Sequence, residues 1–271
     1  MGQPLLLACK PEREAVGPSA DLVVPPLADR LAPVDGGDPA DGVRFGHPPA
    51  AVGEKWAVAV FAESRSDDPQ GGEQLSTYAS DYEAEVLAVD GPAPSRVRLR
   101  FTRNTNGYQG AEKPTAIDGK EYVVDARAPH VRDPAGAQGV STEEAQRVLD
   151  VFPDLGARAR VDQVLPVEAM RIGERRDDLA AAILRVIHPR AWTLASGSAT
   201  LVRTGGGDGV FEVSLDASSE GGLRMKVHGE ARVRLRDARL TSLDFSGSYA
   251  EADASPAPAG TFRLTRRVRD R

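Results

Sequence analysis

The chain is poor in several things, and each shortage removes a class of function. A single cysteine, Cys9, in 271 residues rules out an internal disulfide and any cysteine cluster for zinc or an iron–sulfur centre. No apolar run approaches the ~18 residues that a membrane-spanning helix needs. Only five of the 34 basic residues are lysine, while Ala, Gly and Pro abound; that is the coding bias of a GC-rich genome and carries no function. Positive charge is in deficit. A net charge of −6 argues against a dedicated nucleic-acid binder, because phosphate binding rests on a surplus of Lys and Arg.

Chemistry-bearing motifs are equally scarce. There is no G-x-S-x-G nucleophile elbow. The four histidines, His47, His130, His188 and His228, are scattered, with no pair at metal-ligand spacing. Asp67-Asp68 and Asp177-Asp178 are poor carboxylate pairs, since neighbours on a strand face opposite ways and neighbours on a helix diverge by about 100°. The glycine run 205–209 lacks the Lys-Ser/Thr and following helix of a phosphate-binding loop, and reads as a hairpin turn. No cofactor and no metal are expected, and a non-enzymatic role is favoured over an enzyme with an unfamiliar site.

Hydrophobic residues make up 41% and charged residues 27%, so the chain has the means to fold as one large β domain or two modest ones. Period-two alternation dominates after residue 53. Its clearest stretch sets Leu223, Met225, Val227, Ala231, Val233 and Leu235 against Arg224, Lys226, His228, Glu230, Arg232, Arg234 and Arg236, a long strand with one dry and one wet face, open to a bend at Gly229. Phe211-Val213-Leu215, Leu243-Phe245-Tyr249 and Phe262-Leu264-Val268 flank it. Earlier strands centre on Trp56-Val58-Val60, Tyr78 to Val89, Val97-Leu99-Phe101 and Tyr122-Val124, joined at Asp90-Gly91 and at Asn104-Thr105-Asn106-Gly107. Two helices are expected between the halves. One, about 141–152, opens on a capping box of Ser141 and Glu144; the other, about 175–187, carries the stripe Leu179, Ile183, Val186, Ile187. The fold class is therefore α+β, mainly antiparallel β, with long curved meander sheets and two helices between two β-rich halves. Val52-Gly53-Glu54 echoes Ile172-Gly173-Glu174, which admits related halves at 47–140 and 160–271.

At the N-terminus, Leu6-Leu7-Ala8-Cys9 resembles the lipobox of bacterial lipoproteins. The resemblance implies that residues 1–9 are the end of a signal extending upstream of Met1, that Cys9 receives a lipid, and that the chain is membrane-anchored in the bacterial cell envelope. Residues 10–46 fit as its tether, rich in Pro, Gly and Asp and without an aromatic before Phe45, a composition that does not offset the entropy of ordering. The body then runs from 47 to 271. A cytoplasmic β-rich protein or enzyme is the alternative if Met1 is the true start.

One charged feature stands out. Residues 221–271 hold eleven basic against six acidic residues, and Arg224, Lys226, His228, Arg232, Arg234 and Arg236 share a strand face that offers itself to an anionic partner, or is the solvated side of an arginine-rich sheet. In layout, a long curved sheet with helices on one side is similar to the half-barrel lipid carriers of bacterial envelopes. That similarity implies a binding role toward an apolar ligand, a lipid or a partner protein. Intact-mass analysis of the native membrane fraction is expected to show a chain starting at Cys9 with an acyl-sized increment; an unmodified chain retaining Met1 or Gly2 in the cytosol would refute the anchor.

Overall fold

The computed structural model describes residues 42–67, 72–127, 130–135, 139–152, 155, 161–187, 192–219, 221–251 and 259–271. Cys9, His188, Asp68 and the tether up to residue 41 lie outside these. In chain order come β1 (Lys55–Asp67), β2 (Glu73–Asp90), β3 (Ala93–Tyr108), β4 (Ala111–Pro114), β5 (Glu121–Asp125) and β6 (Val131–Arg132). Helices α1 (Thr142–Val151) and α2 (Val161–Val164), strand β7 (Arg175–Arg176) and helix α3 (Asp177–Ile187) follow. The chain closes with β8 (Trp192–Gly205), β9 (Asp208–Ser219), β10 (Leu223–Arg234), β11 (Leu240–Glu251) and β12 (Ala259–Asp270).

Mainly antiparallel β with interposed helices is what the alternation dictates, and the strands form a single 12-stranded sheet in the order β6-β5-β3-β2-β1-β12-β11-β10-β9-β8-β7, with β4 beside β3. Each half is a meander, and the first strand pairs the last, Trp56 opposite Asp270 through Ser66 opposite Gly260. Both ends of the strand order are two-residue strands. Along β10, Met225, Val227, Ala231 and Val233 are buried while Arg224, Lys226 and His228 are exposed. One face of the sheet is therefore dry, as the period-two pattern requires.

The dry face carries two separate cores. One packs α2 and α3 on β8 to β11 through Leu179, Ile183, Leu201, Phe211, Leu243 and Phe245; the other packs α1 on β2, β3 and β5 through Tyr82, Leu99, Phe101, Tyr122 and Val148. The capping box is present: the Ser141 hydroxyl accepts from the Glu144 amide while the Glu144 carboxylate accepts from the Ser141 amide. Glu144 also receives Lys120 Nζ at 2.5 Å and the Tyr122 hydroxyl at 3.0 Å, which fixes α1 to β5. Lys120 and the Ser141 amide hold the Glu144 carboxyl down to about 2. The apolar stripe of α3 lies on its core, although the helix begins at Asp177 and Arg175–Arg176 pair with β8 instead.

Several expectations need correcting. Asn104 to Gly107 are interior to β3, not a turn; Asn104 is buried, its amide donating to Ser80 Oγ and Tyr78 OH and its carbonyl accepting from Thr115 Oγ1. The hairpin turns instead at Gln109 and Gly110, both at positive φ. Strand β8 escaped detection because bulges after Leu194 and after Leu201 shift its register, so its side-chain alternation loses phase. Gly42–Gly46 belong to the body, not the tether: Val43 pairs with Met170 and Phe45 is 3% exposed. The Val-Gly-Glu and Ile-Gly-Glu echo has matching geometry. Gly53 and Gly173 have φ of 86° and 87°, Gly53 donates to Val86 and Gly173 to Leu201, and the same two residues donate back to Glu54 and Glu174.

Curvature is set where glycines meet aromatics across strands. A Cβ on Gly229 would stand 2.1 Å from the Asp244 carbonyl oxygen and 2.5 Å from the Phe245 ring, and one on Gly247 would stand 2.8 Å from the Phe262 ring. These rings fold over the bare backbone of the neighbouring strand, a device that lets a long sheet bend. Gly229→Ala is expected to destabilise the fold by about 1–3 kcal/mol or more, the scale of core overpacking, in urea unfolding. Gly221→Ala, where the nearest atom is 3.7 Å away, should be near neutral. Equal stability of the two variants would show that the Gly229–Phe245 contact is not a constraint.

Candidate ligand-binding cavity

Helix α3 covers β8 and β9 and α1 reaches the opposite end at β6, and inward side chains of β2, β1, β12 and β11 border the space between the two cores. A cavity of about 360 Å³ fills that space, within the roughly 300–1,000 Å³ range of small-molecule sites. Its floor is Val60 and Ala62 of β1, Tyr78 and Tyr82 of β2, Phe262, Leu264 and Val268 of β12, and Leu240 and Leu243 of β11. Helical residues roof it: Val151 and Phe152 at the end of α1, then Leu155, Val161, and Ala182, Val186 and Ile187 of α3. The Phe152 ring stands edge-on to Tyr82 with centroids 6.5 Å apart. Strand alternation explains the apolar floor, since every second residue of these strands points inward.

One end of the cavity is polar. Glu54 and Trp56, the β10–β11 turn residues Asp237, Ala238 and Arg239, and Pro48, Pro49, Pro92 and Pro94 line it; Pro48 and Pro49 are exposed, so the cavity reaches the surface here. Arg239 pairs with Glu54, lies 4.9 Å over the Trp56 ring and reaches Asp270 at 3.6 Å. Arg234 bridges Asp237 at 2.6 Å and Asp270 at 2.5 Å. Burial pushes the Asp237 carboxyl up, but Arg234 and the Arg239 amide outweigh it and the net shift is downward. Asp270 is lowered chiefly by its hydrogen bond from Arg234, and Arg234 is raised in return.

Two arginines inside the cavity are placed differently. Arg266 occupies an inward position of β12, in phase with Phe262, Leu264 and Val268 and opposite Val60 and Leu243. Arg185 comes from the last turn of α3. Arg266 Nη1 and Arg185 Nε are shielded from solvent with no hydrogen-bond partner, and among the described residues neither side chain forms a salt bridge. An unpaired buried donor costs about 1–3 kcal/mol, more when charged. Burial pushes the Tyr82 phenol up, with the neighbouring Arg266 guanidinium pulling the other way. Lining carboxylates are engaged elsewhere: Glu54 by Arg239, Asp237 by Arg234, Asp150 by Gln146, and Asp162 also has a partner.

The basic face identified in the sequence divides: Arg224, Lys226, His228 and Arg232 lie on the outer side of the sheet, while Arg234 and Arg236 at the strand's end join the ion network at the cavity's polar end. Arg232 pairs with Glu230, Arg234 with Asp237 and Asp270, and Arg236 with Asp270, so this half is neutralised. Arg224 and Lys226 have no salt bridge among the described residues, and His228 meets Ser246 Oγ at 3.0 Å. Lys226 and His228 border a shallow outer depression with Arg65 and Arg263. His47 and His130 each contact only a backbone carbonyl, of Pro166 and Asp125. Glycines 206 and 207, both at positive φ, form the β8–β9 hairpin turn. Among the described residues, no group of three His, Cys, Asp or Glu side chains is placed to hold a metal ion, and no helix is long and apolar enough to cross a membrane.

Sequence reasoning passed over Arg266 and Arg185. A signal existed for the first: an arginine in the inward phase of a strand whose other inward residues are apolar. Nothing comparable marked Arg185, since a basic residue in a last helical turn is ordinary.

No protein-family model matches the chain, and no curated protein matches it in sequence. Among solved structures, DynF from the dynemicin biosynthesis pathway of Micromonospora chersina is similar over 88% of this chain and 92% of its own, at 8% identity and a TM-score of 0.23. A LolA-superfamily protein of Nitrosomonas europaea is similar over 86% of this chain and 91% of its own, at 11% identity and a TM-score of 0.17. Likeness at this level assigns neither a family nor a ligand.

The lowered carboxyls give the polar end a pH dependence. A depressed folded-state pKa means that the pairing contributes fully above the ordinary Asp range, ~3.9, and is lost as pH falls through the folded values. With Trp192→Phe leaving Trp56 as sole tryptophan, Trp56 emission is expected to stay constant from about pH 7 to 5 and to change below ~4. Asp270→Asn should move that transition upward. Emission insensitive to acid down to about pH 2 would show that Trp56 does not report on this network.

Proposed function

We propose that this protein works by binding, holding one small apolar ligand in the cavity between the sheet and its helices without transforming it. The observation that carries the reading is the cavity itself. It is a space walled by inward apolar side chains of four central strands, roofed by helical residues and reaching the surface at a polar end. That combination of a dry wall, a few convergent polar groups and one approach is the usual make-up of a ligand site. Cores of soluble domains are filled to crystal-like density, so an open apolar space between two clusters of buried residues is a feature to be explained.

On the same proposal the protein is an envelope lipoprotein, anchored through Cys9 in the run Leu6-Leu7-Ala8-Cys9, with residues 10–41 holding the body away from the membrane. Such a body would take its ligand from, or deliver it to, a membrane or a partner protein, with nucleic acid no part of its work. The architecture alone would not establish this; the apolar space supports it.

The neutral probe N-phenyl-1-naphthylamine tests the binding reading. Its fluorescence is expected to rise on titration and to saturate at one probe per chain. Leu264→Trp, which fills the floor, should weaken binding at least about tenfold, equivalent to ~1.4 kcal/mol, with the circular dichroism spectrum unchanged. Absence of saturable enhancement in the unaltered protein would overturn the proposal.

A further inference from the structure

Resting on the cavity reading, we infer that the occupant is an amphiphile with a single apolar chain and an anionic head, and that Arg266 and Arg185 receive the head. Three arginines line the cavity, and they differ in one respect. Arg239 is balanced by Glu54 and Asp270 and stacked on Trp56. Arg185 and Arg266 have no acidic partner among the described residues, and each holds a shielded nitrogen that donates to nothing.

Both side chains are half-buried, and a polar nitrogen shielded from solvent is as a rule paired. The carboxylates that share this cavity are each committed elsewhere. The cross-strand neighbours of Arg266, Val60 and Leu243, are apolar, and the polar group beside its guanidinium is the neutral Tyr82 phenol, so among the described residues no negative charge accounts for it at that inward position. A positive group in the last turn of α3 does offset the helix dipole, which accounts for a basic residue at 185 but not for a sealed, unpaired Nε. Both observations are met by an anion from outside the chain. Guanidinium groups suit it, because their planar forks bind carboxylate and phosphate oxygens in pairs.

The remaining wall suits the rest of such a molecule. Val60, Ala62, Phe262 and Leu264 offer only hydrocarbon, and about 360 Å³ sits near the lower end of small-molecule cavities, enough for one chain and not for several. The sheet side and the helix side each supply one arginine, so head-group binding would also tie α3 to β12 across the cavity.

Displacement of N-phenyl-1-naphthylamine by hexadecanoate, hexadecyl phosphate and hexadecan-1-ol separates head from chain. An anionic ligand is expected to displace the probe at about ten- to a hundredfold lower concentration than the alcohol, the scale of a charge-assisted hydrogen bond. Preference between the two anions then assigns a carboxylate or a phosphate head. Arg266→Met and Arg185→Met should each narrow the gap while the probe still binds saturably at one per chain, which shows that the cavity is still formed. Equal displacement by acid and alcohol with normal probe binding overturns this inference and spares the cavity reading. A gap that survives in the Arg185→Met, Arg266→Met double variant overturns the assignment to these residues. Failure of the probe to bind at all removes both.

Discussion

Pairing of the first strand with the last is the contact on which the rest depends. Through the register from Trp56–Asp270 to Ser66–Gly260, two meanders become one continuous sheet, and each brings its own helical cover. Helices α1 and α3 sit toward opposite ends, and over the join the end of α1 and the last turns of α3 face the sheet across a gap. Apolar side chains there are obliged by strand alternation to point inward, into that gap. The cavity is thus a consequence of topology: two cores on a shared sheet leave a space between them.

Such an arrangement sets competing demands on the central strands. They must stay apolar on the inner face to keep the sheet joined to its helices, yet they admit Arg266 in the middle of that face, with Tyr82 beside it. Near the other core, Tyr78, Ser80, Asn104 and Thr115 satisfy one another in a closed network. In the cavity, one nitrogen each of Arg185 and Arg266 is shielded and donates to nothing, the contrast on which the proposed head-group site rests. The ion network of Glu54, Arg234, Asp237, Arg239 and Asp270 does a different job, fastening the starts and ends of β1, β10, β11 and β12 at the cavity's polar end.

Charge counted along one strand misleads. Arg232, Arg234 and Arg236 look like half of a basic stripe in sequence, but their acids come from the same strand, the following turn and the far C-terminal strand: Glu230, Asp237 and Asp270. Only the sheet order brings Asp270 beside Arg234, at a sequence distance that no local pattern reaches. Among the described residues Arg224 and Lys226 are left without a salt bridge, while Arg65 and Arg263 of the adjoining depression are paired with Glu63, Glu73 and Asp244.

What local physics governs was legible along the chain: the mainly antiparallel class, the dry and wet faces of β10, the capped start of α1, the apolar stripe of α3 and the glycine turn before β9. Each follows from the period of the chain or from backbone conformations that few residues tolerate. Where bulges break that period, as in β8, or where a run of turn-favouring residues is buried and satisfied by distant partners, as at Asn104, local reading failed. Only the tertiary structure decided that the halves share one sheet, that the cavity lies at their join, and that Arg266 and Arg185 face the same space. Those facts depend on pairings such as β1 with β12, between residues some two hundred positions apart, and period carries no information about which strand will lie beside which.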